Sequence, residues 1–171
     1  MSQPNLRPEL ARHLRQRLQA FEEGFRQNLA LIGPPGSGKT FQLQQLLSDR
    51  SSNIALIYCA LYRESCRSFV HRLLCAILQE ERPMTGSAQP LEALLQHAEG
   101  RLPKTVAAIR PIEGLLTRRL FGDAFTRTLD TIPLMAEERG RPCVLILDEF
   151  LFLEELGFVH AFHELGTRVM T

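Results

Sequence analysis

Apolar positions along the chain fall into long helical stripes and short continuous runs. Residues 9 to 21 place Leu10, Leu14, Leu18 and Phe21 at offsets of four, four and three, with Arg12, Arg15 and Arg17 on the other faces. That spacing predicts an amphipathic helix. Asn28–Ile32 is a brief apolar run closed by Gly33-Pro34-Pro35-Gly36 and reads as a buried strand. Phe41, Leu43, Leu46 and Leu47 predict a helix from Lys39 to about Arg50. Asn53–Cys59 is apolar without alternation, which predicts a second strand covered on both faces. Ser65 is placed to cap a helix running to about Gln79, with Phe69, Val70, Leu73, Leu74, Ile77 and Leu78 in one broad stripe.

The remainder reads less evenly. Glu80 to Gln89 is expected to be a loop, and Pro90 suits the first position of a helix carrying Leu91, Leu94, Leu95 and Ala98 and stopped by Gly100. Pro103, Pro111 and Pro133 break residues 101 to 140 into short helices, the clearest holding Phe125, Leu129 and Ile132, and Gly140 closes that region. Cys143–Leu147 is a third buried strand ending in Asp148-Glu149, and Phe158, Phe162, Leu165 and Val169 predict a final helix. Strands separated by helical crossovers imply an α/β fold with a parallel sheet flanked by helices, and the ligand site of such a sheet lies at the carboxyl ends of its strands.

With 171 residues the chain has length for about one domain. Within it the expected order is a leading helix (1–24), two strands with the glycine-rich turn (25–61), a helical region (62–142), and the acidic strand with its following helix (143–171). Hydrophobic residues are 44% and charged residues 23%, values that disfavour disordered and collagen-like chains. No apolar run reaches about 18 residues, so no membrane partner is expected. The N-terminus lacks a secretory pattern, which makes the cytoplasm the expected compartment. Lys+Arg of 20 against Asp+Glu of 19 gives a net charge of +1, so DNA as a partner has no support from charge. Cys59, Cys66, Cys75 and Cys143 form no C-x-x-C pair and read as free thiols.

Two signatures carry chemistry. Gly33-Pro34-Pro35-Gly36-Ser37-Gly38-Lys39-Thr40 matches the phosphate-binding pattern G-x-x-x-x-G-K-[S/T], between a predicted strand and the helix predicted from Lys39, with Phe41 next in line. Glycines let successive amides converge on phosphate oxygens, and the helix N-terminus adds its positive dipole end. Lys39 would reach the β- and γ-phosphates, and it is one of only two lysines in a chain with 18 arginines. The Thr40 hydroxyl would ligate Mg²⁺. The second signature is Val144-Leu-Ile-Leu-Asp148-Glu149, in which Asp148 would hold the metal through water and Glu149 would act as general base on the attacking water.

With GPPGSGKT at 33–40 and VLILDE at 144–149, the chain resembles the P-loop ATPases of the AAA+ type, and in particular their origin-recognition-like branch. The resemblance implies a P-loop NTPase domain of three αβα layers. It implies ATP and Mg²⁺ as cofactors, with Gly33 to Phe41 cradling the nucleotide, Thr40 and Asp148 at the metal, and Lys39 and Glu149 as the catalytic pair. It also implies a segment ahead of the first helix that packs on adenine, for which Leu6-Arg7-Pro8-Glu9-Leu10 occupies the matching place, although that stretch serves equally as an ordinary N-terminal cap. A central strand with a γ-phosphate sensor, an arginine finger and a helical lid would follow the acidic strand in such proteins. The chain ends before them, so it reads as the N-terminal portion of an ATPase domain whose strands lack a central neighbour. Expected partners are copies of itself or another ATPase subunit that supplies the arginine. The implied activity is Mg²⁺-dependent ATP hydrolysis in DNA replication, transposition or regulation, and the alternative is a nucleotide-gated interaction switch with negligible hydrolysis.

Smaller features carry bland expectations. His160 and His163, three apart on a predicted helix, lack a third metal ligand and read as a surface face. Arg118-Arg119 reads as solvated charge, and Tyr58 and Tyr62 read as sheet packing at a strand end. The long region 101–140 suits a partner contact.

Overall fold

The computed structural model describes residues 7–25, 28–48, 53–79, 89–158, 163 and 165–166. The chain forms two compact units, the first comprising Met1–Ile54 and Leu165–Thr171 and the second Ala55–Glu164. The expectations for the 80–88 loop, for Leu6 and for His160, Phe162 and Val169 fall outside the described residues.

In the first unit, α1 (Pro8–Glu22) starts with proline at a position whose missing N–H has no helical partner to lose, and it buries Ala11 and Leu14. α2 (Lys39–Ser48) packs against α1 and buries Gln42 and Leu46. Asn28–Ile32 is not a strand, which corrects the sequence expectation. A strand exists only through its ladder, and no described residue pairs with this segment. Leu29 and Ile32 are correspondingly exposed, Ile32 at 92%, while Leu31 is half-buried.

The second unit is built on two parallel strands, β1 (Ala55–Ala60) and β2 (Cys143–Asp148), in register from Ala55 opposite Cys143 to Ala60 opposite Asp148. The Leu61 amide extends the ladder by donating to the Asp148 carbonyl at 2.9 Å. β1 differs from expectation: Ala55, Ile57 and Cys59 are buried while Leu56, Tyr58 and Ala60 are half-buried, so its two faces are covered unequally. α3 (Cys66–Gln79) packs on β1 and buries all six residues of the predicted stripe. The Ser68 amide donates to Ser65 Oγ at 3.1 Å, so Ser65 caps the helix as its sequence position implies. Phe69 of α3 meets Phe125 at 6.0 Å and Phe158 at 5.9 Å between ring centroids, and Phe125 stacks on Phe158 at 4.8 Å. This aromatic cluster ties α3 to the helix that carries Phe125 and to the segment after β2.

Three further helices, α4 (Leu91–Ala98), α5 (Pro103–Ile109) and α6 (Ile112–Thr117), lead to α7 (Phe121–Arg139). Pro90 stands at the N-cap of α4 rather than at its first helical position, and Pro103 and Pro111 sit at or just before helix starts as expected. Pro133 does not end a helix: α7 runs through it for 19 residues. An interior proline costs about 3 kcal/mol. Buried Phe125, Leu129 and Met135, on the flanks of Pro133, offset that cost by packing α7 against α3, α5 and α6. Gly140, at φ +64°, closes α7 in the left-handed conformation, and the Arg141 amide reaches back to the Ala136 carbonyl. Glu138 of α7 accepts from the Lys104 and Thr105 amides at 2.7 and 2.9 Å and so caps α5. The short α8 (Phe152–Glu155) follows β2, and the periodicity of the sequence does not announce it.

Candidate functional site

The phosphate-loop residues lie in the first unit, as the turn that opens α2. The Ser37 amide donates to the Pro34 carbonyl at 3.2 Å, and the Gln42 amide donates to the Gly38 carbonyl at 3.0 Å as the helix begins. Gly36 and Gly38 take φ of +74° and +84°, where a side chain is strained, and a Cβ on either would project into open space. Both glycines line a cavity of about 180 Å³ together with Arg7, Ser37, Phe41 and Gln42. Lys39 Nζ donates to the Gly33 carbonyl at 2.8 Å and to the Pro34 carbonyl at 3.0 Å, so the ammonium is folded over its own loop. Thr40 is half-buried in the first turn of α2.

This donor set suits a phosphate group. Left-handed glycines at the start of a helix aim consecutive amides to one side, and the side that side chains would fill is open. Arg7, from the segment ahead of α1, and Gln42, 2% exposed in α2, both line the cavity. Sequence reading reaches Arg7 only through the resemblance and misses Gln42, because a glutamine one turn into a helix carries no signal of its own.

Asp148 and Glu149 lie in the second unit, where β2 ends. Asp148 is 5% exposed, and its buried carboxylate has partners on both oxygens. The Tyr58 hydroxyl donates to Oδ2 at 2.9 Å, and the Glu149 amide donates to Oδ1 at 2.9 Å. Burial, and then the hydrogen bond to Asp148, push the Tyr58 phenol well above its ordinary value, so it stays a donor. Glu149 is exposed and adopts φ +54°, a left-handed conformation costing about 1 to 2 kcal/mol for a residue with a side chain. Its carbonyl accepts the Phe152 amide at 3.0 Å as the chain turns into α8. The strand end thus carries one buried carboxylate tethered through both oxygens beside one exposed carboxylate.

The carboxyl end of β1 is clamped by Arg72, whose guanidinium donates to the Ala60 carbonyl and to the Glu64 carboxylate and stacks 4.8 Å over the Tyr62 ring. Burial pushes the Cys59 thiol up to about 11, against the opposing pull of Arg72. Cys143 at the start of β2 is likewise raised to about 11 by burial. All four cysteines are free, and no cluster of metal-ligating side chains occurs among the described residues. Among those residues no helix is long and apolar enough to cross a membrane. Sequence reading assigns Tyr58 to sheet packing, and spacing does not reveal its bond to a residue 90 positions away.

Compared with known proteins, residues 6–155 match the family described as AAA ATPase domain. The chain is 34% identical over 102 residues to dynein axonemal assembly factor 5 of Drosophila melanogaster, an alignment covering 55% of the chain and 12% of that protein. The chain thus spans about an eighth of the length of that relative. No solved structure matches it.

Proposed function

The chain belongs to the AAA ATPase domain family, and on that premise we propose that it binds ATP through Gly33 to Phe41 and supports Mg²⁺-dependent hydrolysis through Asp148 and Glu149. The observation that carries the reading is the pair of left-handed glycines, Gly36 and Gly38, opening α2 beside a cavity of about 180 Å³. The backbone there already has the curvature that a phosphate cradle needs, so little ordering remains when the ligand arrives.

Lys39 would exchange its two bonds to loop carbonyls for bonds to the β- and γ-phosphates in which both partners are charged. The Thr40 hydroxyl and the Asp148 carboxylate are hard oxygen donors of the kind magnesium takes. Magnesium, when bound, supplies charge neutralisation on the phosphate oxygens. Glu149, exposed and directly after Asp148, would accept a proton from the attacking water at its carboxylate. Gln42 and Arg7 would shape the cavity beside the loop.

AAA ATPases commonly oligomerise, and we infer that a neighbouring subunit contributes an arginine, which makes turnover depend on protein concentration. Turnover that stays negligible at every concentration would instead favour the nucleotide-gated switch. A role in DNA replication, transposition or regulation follows from the origin-recognition-like resemblance alone. The direct test is binding of a fluorescent ATP analogue to the wild type and to Lys39→Ala. We expect affinity to fall at least a hundredfold in the variant. Undiminished binding would remove the central assignment.

A further inference from the structure

We propose that Tyr58 is a positioning residue for Asp148, holding in one orientation the carboxylate that would serve the metal. This rests on the reading of Asp148 as the magnesium-side acid. The register of the sheet makes the arrangement unavoidable. Ala60 lies opposite Asp148, so both side chains leave the same face of the pair, and Tyr58, two residues before Ala60, leaves that face as well. Tyr58 is therefore the diagonal neighbour of Asp148, at a distance that only a long side chain spans. Its phenol closes the gap at 2.9 Å, where phenylalanine would fill the same space without the bond.

The bond is directional in a useful way. A carboxylate has about four acceptor positions, two on each oxygen. The Glu149 amide takes one on Oδ1 and the Tyr58 hydroxyl one on Oδ2, which leaves one on each oxygen for a metal-bound water. With both oxygens tethered and the Asp148 carbonyl held by the Leu61 amide, rotation about the side chain is suppressed. Partners behind a metal-side carboxylate typically govern affinity by about 10- to 100-fold. A phenol that merely satisfied a buried acid would affect folding stability and leave magnesium dependence untouched.

The chain has two tyrosines and no tryptophan, so its intrinsic fluorescence reports Tyr58 and Tyr62 alone. In a Tyr62→Phe background Tyr58 is the single phenol, and its emission should change on adding Mg²⁺ to the protein with bound fluorescent ATP analogue. In parallel, Mg²⁺ is titrated into wild type, Tyr58→Phe and Asp148→Asn with the same analogue, with binding in EDTA as the reference. We expect Tyr58→Phe to bind the analogue normally in EDTA and to need about tenfold more Mg²⁺ for half-effect. Asp148→Asn should need at least as much, and the double variant no more than Asp148→Asn. If Asp148→Asn shifts and Tyr58→Phe does not, the positioning role is wrong while the magnesium assignment stands. If Asp148→Asn does not shift either, the magnesium assignment itself is wrong. Tyr58 emission that ignores Mg²⁺ overturns the positioning role without relying on the Tyr58→Phe variant.

Discussion

In the phosphate loop the bonds that hold Lys39 close over five and six residues, whereas the bond that holds Asp148 comes from a tyrosine 90 residues away. The loop is made by its own backbone: two left-handed glycines, one turn and a helix start. The Asp148 environment is made by the fold, because it needs β1 and β2 in register and α3 and α7 packed to keep them so. A local device of this kind fails through substitution within the motif. A non-local one fails through any lesion that loosens the core.

The sharpest way to break the comparison is to attack the core away from both sites. Phe69→Ala removes the centre of the aromatic cluster and should cost about 3 to 5 kcal/mol, read as a lower urea midpoint. Lys39→Ala should leave the same midpoint within about 0.5 kcal/mol, since among the described residues its side chain bonds its own loop. Equal losses for the two variants would erase the distinction. Next in size, Gly38→Ala places a side chain at φ +84° and should cost about 1 to 2 kcal/mol of loop geometry, or roughly a tenfold weaker affinity for the ATP analogue. Affinity unchanged by that substitution would mean that the left-handed turn is not the binding conformation.

The smallest effect concerns Glu138, which caps α5 from α7. Burial opposes its ionisation, but the Thr105 hydroxyl and the Lys104 and Thr105 amides together hold its carboxyl below the ordinary range. A depressed carboxyl stabilises the folded chain above its unfolded pKa and loses that contribution as pH falls through the folded value. Glu138→Gln should therefore cost about 1 kcal/mol at pH 7, and the difference from wild type should shrink as pH falls below the ordinary glutamate value of about 4.3. A difference that does not shrink at all as the carboxyl is protonated would show that packing, and not the charged cap, is lost.

The same contrast explains what the sequence could reveal. Ser65 capping α3, the six-residue stripe of α3 and the glycines of the loop are legible because each depends on neighbours within a few positions. β2 with its Asp148-Glu149 ending is legible because a continuous apolar run has few other uses. Asn28–Ile32 misleads because the same run needs a partner edge, and pairing is decided elsewhere in the chain. Pro133 misleads because tertiary packing overrides a local penalty of about 3 kcal/mol. Tyr58 looks like any strand aromatic until the register sets it diagonal to Asp148.

The proposals that the loop binds ATP and that Asp148 serves magnesium are tested most directly by amide hydrogen exchange with and without Mg²⁺ and ATP. The account predicts slower exchange at 36–41 and at 148–149 on adding both, and at 36–41 alone when EDTA replaces Mg²⁺. Exchange at 36–41 that is unchanged by saturating nucleotide would contradict it.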